Sequence, residues 1–183
     1  EYLPTLLKAS AGDSQREQIK KYLQGSKISI IDPTEDLILS KSLGQLYYKY
    51  DTHWNQLGGW VVYQKVIKTL SKEYPNLEPS PLEDFSIKYV DNPRKDLAIL
   101  VGGNDFLHET EPILELKNGE TAKNIFAPCP NPHFQCPKIV KTVDNLELPK
   151  IVVLRDSFLT NTIPFLSEHF QKMMQAPKIR SGE

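Results

Sequence analysis

The chain has 183 residues, 39% of them hydrophobic and 25% charged, which is enough to bury one proper core. Its 22 basic and 23 acidic residues leave a formal net charge of −1, which argues against a nucleic-acid surface or a polybasic membrane anchor. No apolar run reaches the length that crosses a bilayer, and Glu1-Tyr2-Leu3-Pro4 does not read as a signal peptide; the chain starts as if already inside a domain.

Taken in order, the elements alternate without an internal repeat. Residues 14–23 read as an amphipathic helix, and 27–31 (KISII) as a buried strand ending at Asp32-Pro33, which opens a short helix through Ile38. An aromatic stretch with Tyr47, Tyr48 and Tyr50 leads into Asp51-Thr52-His53-Trp54-Asn55. Aromatic faces stack on the C–H faces of sugars, so Tyr48 and Tyr50 are candidates to line a sugar site; packing beside the next helix is the other reading. Asn55 is a good N-cap for a helix over 56–71, with Leu57, Trp60, Val61, Val66, Ile67 and Leu70 on or near one face. Residues 74–93 are rich in proline and polar side chains and read as a surface excursion holding one strand, 86–90.

Further on, Gly102-Gly103-Asn104-Asp105 has the composition of a loop or turn. Cys129 and Cys136 flank a proline-rich loop with His133, a spacing that lacks paired Cys-x-x-Cys form and offers too few ligands for zinc. A disulfide between Cys129 and Cys136 is expected, which would suit an exported protein; free thiols are the alternative. No metal or cofactor is expected. Residues 150–154 (KIVVL) form a short β-branched strand, and 158–174 carry apolar residues at helical spacing, so Ser157 falls on a strand-to-helix turn.

The two segments around residues 51–55 and 155–158 supply an acid, a base and a nucleophile. A serine hydroxyl attacks poorly at neutral pH unless an imidazole takes its proton, and the imidazole needs a third group to fix its tautomer and stabilise its charge. Ser157, His53 and Asp51 fill those roles. In an extended stretch the spacing of Asp51 and His53 puts both side chains on one side of the backbone. The turn after a sheet strand exposes Ser157 in a crevice, where its backbone N–H faces a developing oxyanion. Each part also has a plainer reading, Asp156-Ser157 as a helix cap and His53 as a surface histidine.

The stretch YYKYDTHWNQLGGWVVYQKVIKTL resembles the Asp-x-His-Trp signature of the SGNH-hydrolase-like family that includes AlgJ, AlgX and the DHHW proteins, and VVLRDSFLTNTIPFLSEHF is similar to its Gly-Asp-Ser-Phe block with the following helix. Between them, RKDLAIL at 94–100 is similar to a linking segment of that family. The resemblance implies a single three-layer α/β SGNH-like domain over residues 1–183 with a circularly permuted motif order, the Asp-x-His pair preceding the serine. Gly102-Gly103-Asn104-Asp105 matches the Gly-x-Asn-Asp of ordinary SGNH esterases, where the Asn donates to the oxyanion, but in the permuted order that block belongs after the serine, so a loop is the preferred reading of 102–105 and the oxyanion role the alternative. Sheet strands are then expected before Glu1 and after the helix that follows Ser157, which makes the chain a fragment of a longer protein or an abbreviated member. Arg155 stands where the family has glycine; it either binds a polysaccharide carboxylate or hydroxyl, or has a structural role.

What the resemblance implies for function is O-acetyl transfer to, or acetyl-ester hydrolysis on, an exported or cell-surface polysaccharide, with Ser157 as acetyl acceptor, His53 as base and acid, and Asp51 as orienter. The implied partners are a polysaccharide acceptor, an acetyl donor and a membrane acetyl-transfer protein, with no nucleic acid; the implied location is extracytoplasmic, periplasmic or at the cell surface, with a membrane anchor in the full-length protein. The alternative is a catalytically silent glycan-binding or assembly module of the same fold.

Overall fold

The structure is a computed structural model, and it describes residues 12–91, 96–103, 105–126, 138–142 and 145–177. Two compact units divide it, Glu1–Asp32 and Pro33–Glu183. Cys129, Cys136, Asn104 and Arg94 lie outside the described residues, and with them the expected disulfide.

In the first unit, helix α1 (Gln15–Leu23) starts from a capping box: the Ser14 side chain accepts from the Glu17 N–H, and the Glu17 carboxylate accepts from the Ser14 N–H. Asp13 pairs with Lys21, and Asp32 receives Lys20 and Arg16. Residues 27–31, expected as a buried strand, are irregular, with Ile28 and Ile30 exposed. Among the described residues no strand pairs with them, and an apolar β-branched run has strand geometry only where a neighbour completes its ladder.

The second unit opens with α2 (Thr34–Leu39) and a 3-10 turn, Ser40–Leu43. Helix α3 (Gln56–Leu70) is capped as expected, the Asn55 side chain accepting from Gly58 N–H at 3.1 Å. It buries Leu57, Val61, Val62, Tyr63 and Ile67, while Trp60, Val66 and Leu70 flank that face half-buried. Strands β1 (Phe85–Asp91) and β2 (Thr110–Leu116) pair antiparallel, Phe85 opposite Leu116, and helix α4 (Asp96–Leu100) lies in their connection.

A second sheet has the order β3-β4-β6-β5, from β3 (Ala122–Phe126), β4 (Lys138–Thr142), β5 (Lys150–Arg155) and β6 (Lys172–Pro177). Only β5 and β6 are parallel in it, with Ile151 opposite Met173. Their crossover is a 3-10 turn, Ser157–Asn161, followed by the short helix α5 (Ile163–Ser167).

That crossover corrects the expected continuous helix over 158–174. Pro164 lacks an N–H and fits only a first turn, so a new helix starts at Ile163 and lasts five residues. Beyond it the buried positions alternate, Met173 and Gln175 facing in while Lys172 faces out, which is the period of a strand. β6 is thus the strand expected after the helix that follows Ser157.

The core of this unit joins Tyr63 and Ile67 of α3 to Phe165 and Leu166 of α5, to Phe170, and to Met173 of β6. Each such side chain contributes about 1.5–3 kcal/mol by leaving water. Among the described residues no helix is long and apolar enough to cross a membrane.

One polar chain runs through this core. Ser80 N–H donates to the Tyr63 hydroxyl at 2.6 Å, and that hydroxyl lies 2.5 Å from Nε2 of His169. Burial pushes the His169 imidazole down to about 4, only partly opposed by Glu168, so it is neutral and accepts the tyrosine proton. Since the unfolded chain binds a proton at His169 below about 6.5, stability is complete above that pH and falls as pH drops toward 4, by on the order of 3 kcal/mol. Urea midpoints measured from pH 7 to pH 4 should show this loss, and His169→Gln should flatten it; an equal slope in both proteins would exclude His169 as its source.

Candidate active site

The loop from Leu46 to Asn55 is pinched at its base. Asn55 N–H donates to Leu46 O at 2.9 Å, Tyr48 N–H to His53 O at 3.2 Å, and Tyr47 bridges to Trp54. At its tip Asp51 and His53 chelate one another: Oδ1 of Asp51 accepts from the His53 backbone N–H at 2.9 Å and lies 2.5 Å from ring Nδ1. Burial alone would push the Asp51 carboxyl up, but the hydrogen bonds from the His53 ring, the His53 N–H and the Asp96 N–H together hold it below the ordinary carboxylate value.

The other half comes from the end of β5. Asp156 caps the 3-10 turn, its carboxylate accepting from Phe158 N–H at 3.0 Å, which leaves the neighbouring Ser157 side chain free to face the loop. Its Oγ lies 2.8 Å from His53 Nε2. Phe158 packs against the imidazole, ring centroids 4.6 Å apart, and against Trp54. The Ser157 backbone N–H has no acceptor among the described residues.

Two glycines let these halves meet. A Cβ on Gly58 would come within 2.3 Å of Leu46 O, and one on Gly59 within 2.3 Å of Asn161 O, so the first turn of α3 lies directly on the backbone of both segments. Asn161 completes the join by donating to Trp54 O at 2.7 Å and to the Tyr48 hydroxyl at 3.4 Å.

Asp51, His53 and Ser157 open into a pocket of about 310 Å³ whose walls include Tyr48, Gln56, Glu111 and Asn161. Tyr48 thus reaches the pocket. Tyr50 does not; it serves the loop through its backbone, its carbonyl accepting from Leu97 and Ala98 N–H. Arg155 also lies outside the lining. Its Nε donates to Gln175 at 3.2 Å and one terminal nitrogen to Asp156 O and Thr160 Oγ1, each at 3.1 Å, so it ties β6 to the serine turn.

Three carboxylates support the site, Asp96 from the 94–100 segment singled out in the sequence and Glu109 and Glu111 with no motif of their own. Asp96, at the start of α4, accepts from Thr52 N–H at 2.9 Å and from the Thr52 hydroxyl at 2.5 Å, and lies 3.8 Å from His53 Nδ1. Buried Glu109 accepts from the N–H groups of Lys49 at 2.8 Å and Tyr50 at 3.1 Å. Glu111 is buried beside Tyr48 and hydrogen-bonds its phenol; burial first, then this carboxylate, pushes the phenol up, so it stays protonated. Glu109→Ala would leave two loop N–H groups unpaired and is expected to cost about 2 kcal/mol, read as a lower urea midpoint at unchanged slope.

Asp51, His53 and Asp96 also have ligand atoms within 4.8 Å of one another, the spacing of a cation site. Two ligands about 2.1 Å from one tetrahedral ion sit about 3.4 Å apart. The 2.5 Å contact between Nδ1 and Oδ1 is instead that of a shared proton.

A serine on a strand-to-helix turn facing an Asp-x-His loop, within a mixed α/β fold, defines the SGNH hydrolase-like class. The chain belongs to the family described as the SGNH hydrolase-like domain of acetyltransferase AlgX, whose model matches residues 1–124. That stretch holds Asp51 and His53 and ends before Ser157. Among solved structures, a DHHW family protein from Eubacterium siraeum is similar at 16% identity and a TM-score of 0.69, covering 96% of this chain and 65% of its own. Bacillus cereus PatB1 is similar at 16% identity and a TM-score of 0.70, covering 96% of this chain and 68% of its own. The O-acetyltransferase domain of Pseudomonas putida AlgJ aligns at 15% identity and a TM-score of 0.51, over 89% of this chain and 52% of its own. The chain therefore spans about two thirds of the length of the DHHW protein and of PatB1. No curated protein sequence matches it.

Proposed function

We propose that this domain transfers an acetyl group to a hydroxyl of an exported polysaccharide through an acetyl-Ser157 intermediate. The observation that carries the reading is the continuous relay from Asp51 Oδ1 through the imidazole to Ser157 Oγ, with contacts of 2.5 and 2.8 Å, at the mouth of an open pocket. Membership of the AlgX acetyltransferase family and likeness to the AlgJ O-acetyltransferase domain support it. PatB1 has also been solved with a sulfonyl adduct.

In the first half-reaction Ser157 Oγ attacks the acetyl carbonyl carbon of the donor while His53 Nε2 takes the hydroxyl proton. The tetrahedral oxyanion faces the Ser157 N–H. Collapse breaks the bond to the donor oxygen, which leaves with the proton from Nε2. In the second half-reaction a sugar hydroxyl enters, Nε2 takes its proton, and the sugar oxygen displaces Ser157, which recovers that proton. Water in place of the sugar gives ester hydrolysis with the same residues. Asp51 stabilises the imidazolium at both stages. The acetyl donor is a membrane acetyl-transfer protein, and the site of action is outside the cytoplasm.

The test is intact mass after incubation with a chromogenic acetyl ester, comparing the native chain with Ser157→Ala. One added acetyl group on the native chain alone supports the reading. A folded native chain that gains no acetyl and releases no chromophore would leave a glycan-binding module instead.

A further inference from the structure

One polar group in the pocket wall is held in place without being used up. Gln56 lines the pocket together with His53 and Ser157, and it is half-buried. It is the first residue of α3, where buried Asn55 fixes the backbone: Asn55 Oδ1 accepts from Gly58 N–H at 3.1 Å, and Asn55 Nδ2 donates to Gln45 O at 2.6 Å. The far end of the Gln56 side chain is fixed by β2, whose Leu114 N–H donates to Oε1 at 2.8 Å. A backbone N–H only donates, so the amide atom that meets it must be the oxygen. The NH2 is thereby turned away from that N–H, and among the described residues it has no acceptor.

The other carboxamide of the pocket is set the opposite way. Asn161 spends its N–H groups on Trp54 O at 2.7 Å and on the Tyr48 hydroxyl at 3.4 Å, which leaves its Oδ1 without a donor among the described residues. The pocket therefore offers one fixed donor and one fixed acceptor, both neutral, and groups fixed before a ligand arrives spare the entropy of ordering them on binding. Sugars carry two kinds of oxygen. Hydroxyls donate and accept, whereas ring and glycosidic oxygens only accept, so the second kind can be held by an NH2 and never by a carbonyl or carboxylate.

Resting on the acetyl-transfer reading, we propose that Gln56 is a sugar-binding residue whose NH2 donates to a ring or glycosidic oxygen of the unit being acetylated, while Asn161 Oδ1 accepts from a hydroxyl of the same unit. Gln56 then recognises the pyranose frame rather than its charge.

The experiment compares the native chain with Gln56→Glu, which keeps an oxygen for Leu114 N–H and loses the donor, and with Gln56→Met, which loses both. Binding of tetrasaccharides of glucose, N-acetylglucosamine and mannuronate is measured by calorimetry at low and high salt, with urea unfolding of the same samples. The native chain should bind at least one of the three. For that oligomer Gln56→Glu should weaken binding about tenfold at both salt concentrations with a near-native urea midpoint, whereas Gln56→Met should lose affinity and midpoint together. Native-like binding by Gln56→Glu would show that Leu114 is the amide's whole business and overturns the proposal. So does a loss that high salt abolishes, which would be an effect of the new charge, an unchanged midpoint in Gln56→Met, or binding of none of the three by the native chain. Binding with the expected losses but no acetyl adduct on Ser157 counts against the transfer reading alone.

Discussion

Asp51→Asn is expected to lower kcat for a chromogenic acetyl ester by on the order of 10³–10⁴ while leaving the unfolding free energy, read from urea titration, within about 1 kcal/mol of the native chain's. One oxygen of Asp51 serves both the backbone N–H and the ring Nδ1 of His53. An asparagine that keeps the Asp96 N–H bond with its carbonyl puts its NH2 where Oδ1 stood, against ring Nδ1. Where that group meets Nδ1 the ring proton moves to Nε2, and an Nε2–H donates to Ser157 instead of accepting from it. Imidazole ¹⁵N shifts should report the change of tautomer directly. A variant that keeps a tenth or more of the native rate would remove Asp51 from the proposed relay. Because the native carboxyl is held below its ordinary value, it stays ionised throughout the mildly acidic range, and its share of stability is lost only as pH falls below about 3.9 toward the folded value.

Gly59→Ala should damage both stability and rate, from a position that takes no part in the proposed chemistry. The new methyl would stand 2.3 Å from Asn161 O and 2.7 Å from Asn161 C. Both are backbone atoms of the turn that begins at Ser157, so no side chain can swing aside. The turn must move off α3, at a cost of about 3 kcal/mol or more. Ser157 Oγ moves with it, and a shift of about 1 Å between nucleophile and base costs about a hundredfold in rate. Urea unfolding and ester turnover on one sample check this. An unchanged midpoint would show that the close approach is absent in solution. The pair of variants is diagnostic, since Asp51→Asn separates rate from stability and Gly59→Ala couples them.

Local signals made half of the site legible in the sequence. Asn55 marked the start of α3 because a cap acts within one turn, and the β-branched run before Arg155 marked β5 because it is followed at once by the serine turn. The class of fold was legible through the two blocks around Asp51 and Ser157. The helix after Ser157 was overextended because apolar residues at helical spacing continue past Pro164, although the proline had already marked a break. Residues 27–31 have strand composition, yet composition does not supply a neighbouring ladder. Although the 94–100 segment that holds Asp96 was singled out, the supporting roles of Asp96, Glu109 and Glu111 were illegible for a different reason. They reach the site from α4, β2 and the residue before β2, and solitary acidic residues near short elements have no pattern that distinguishes them from solvated charges.

Asp51 and His53 are two residues apart in the chain, whereas the contact of His53 with Ser157 spans 104. Closing so long a loop costs about 4 kcal/mol in chain entropy; a link across two residues costs far less. The imidazole–carboxylate unit can therefore form in a largely unfolded chain, but the hydroxyl is recruited only when α3, β5 and the serine turn have docked. Capture of Ser157 by a sulfonyl reagent should accordingly fall with denaturant along the same curve as global unfolding, which makes this one bond a chemical clock for the folding of the whole second unit.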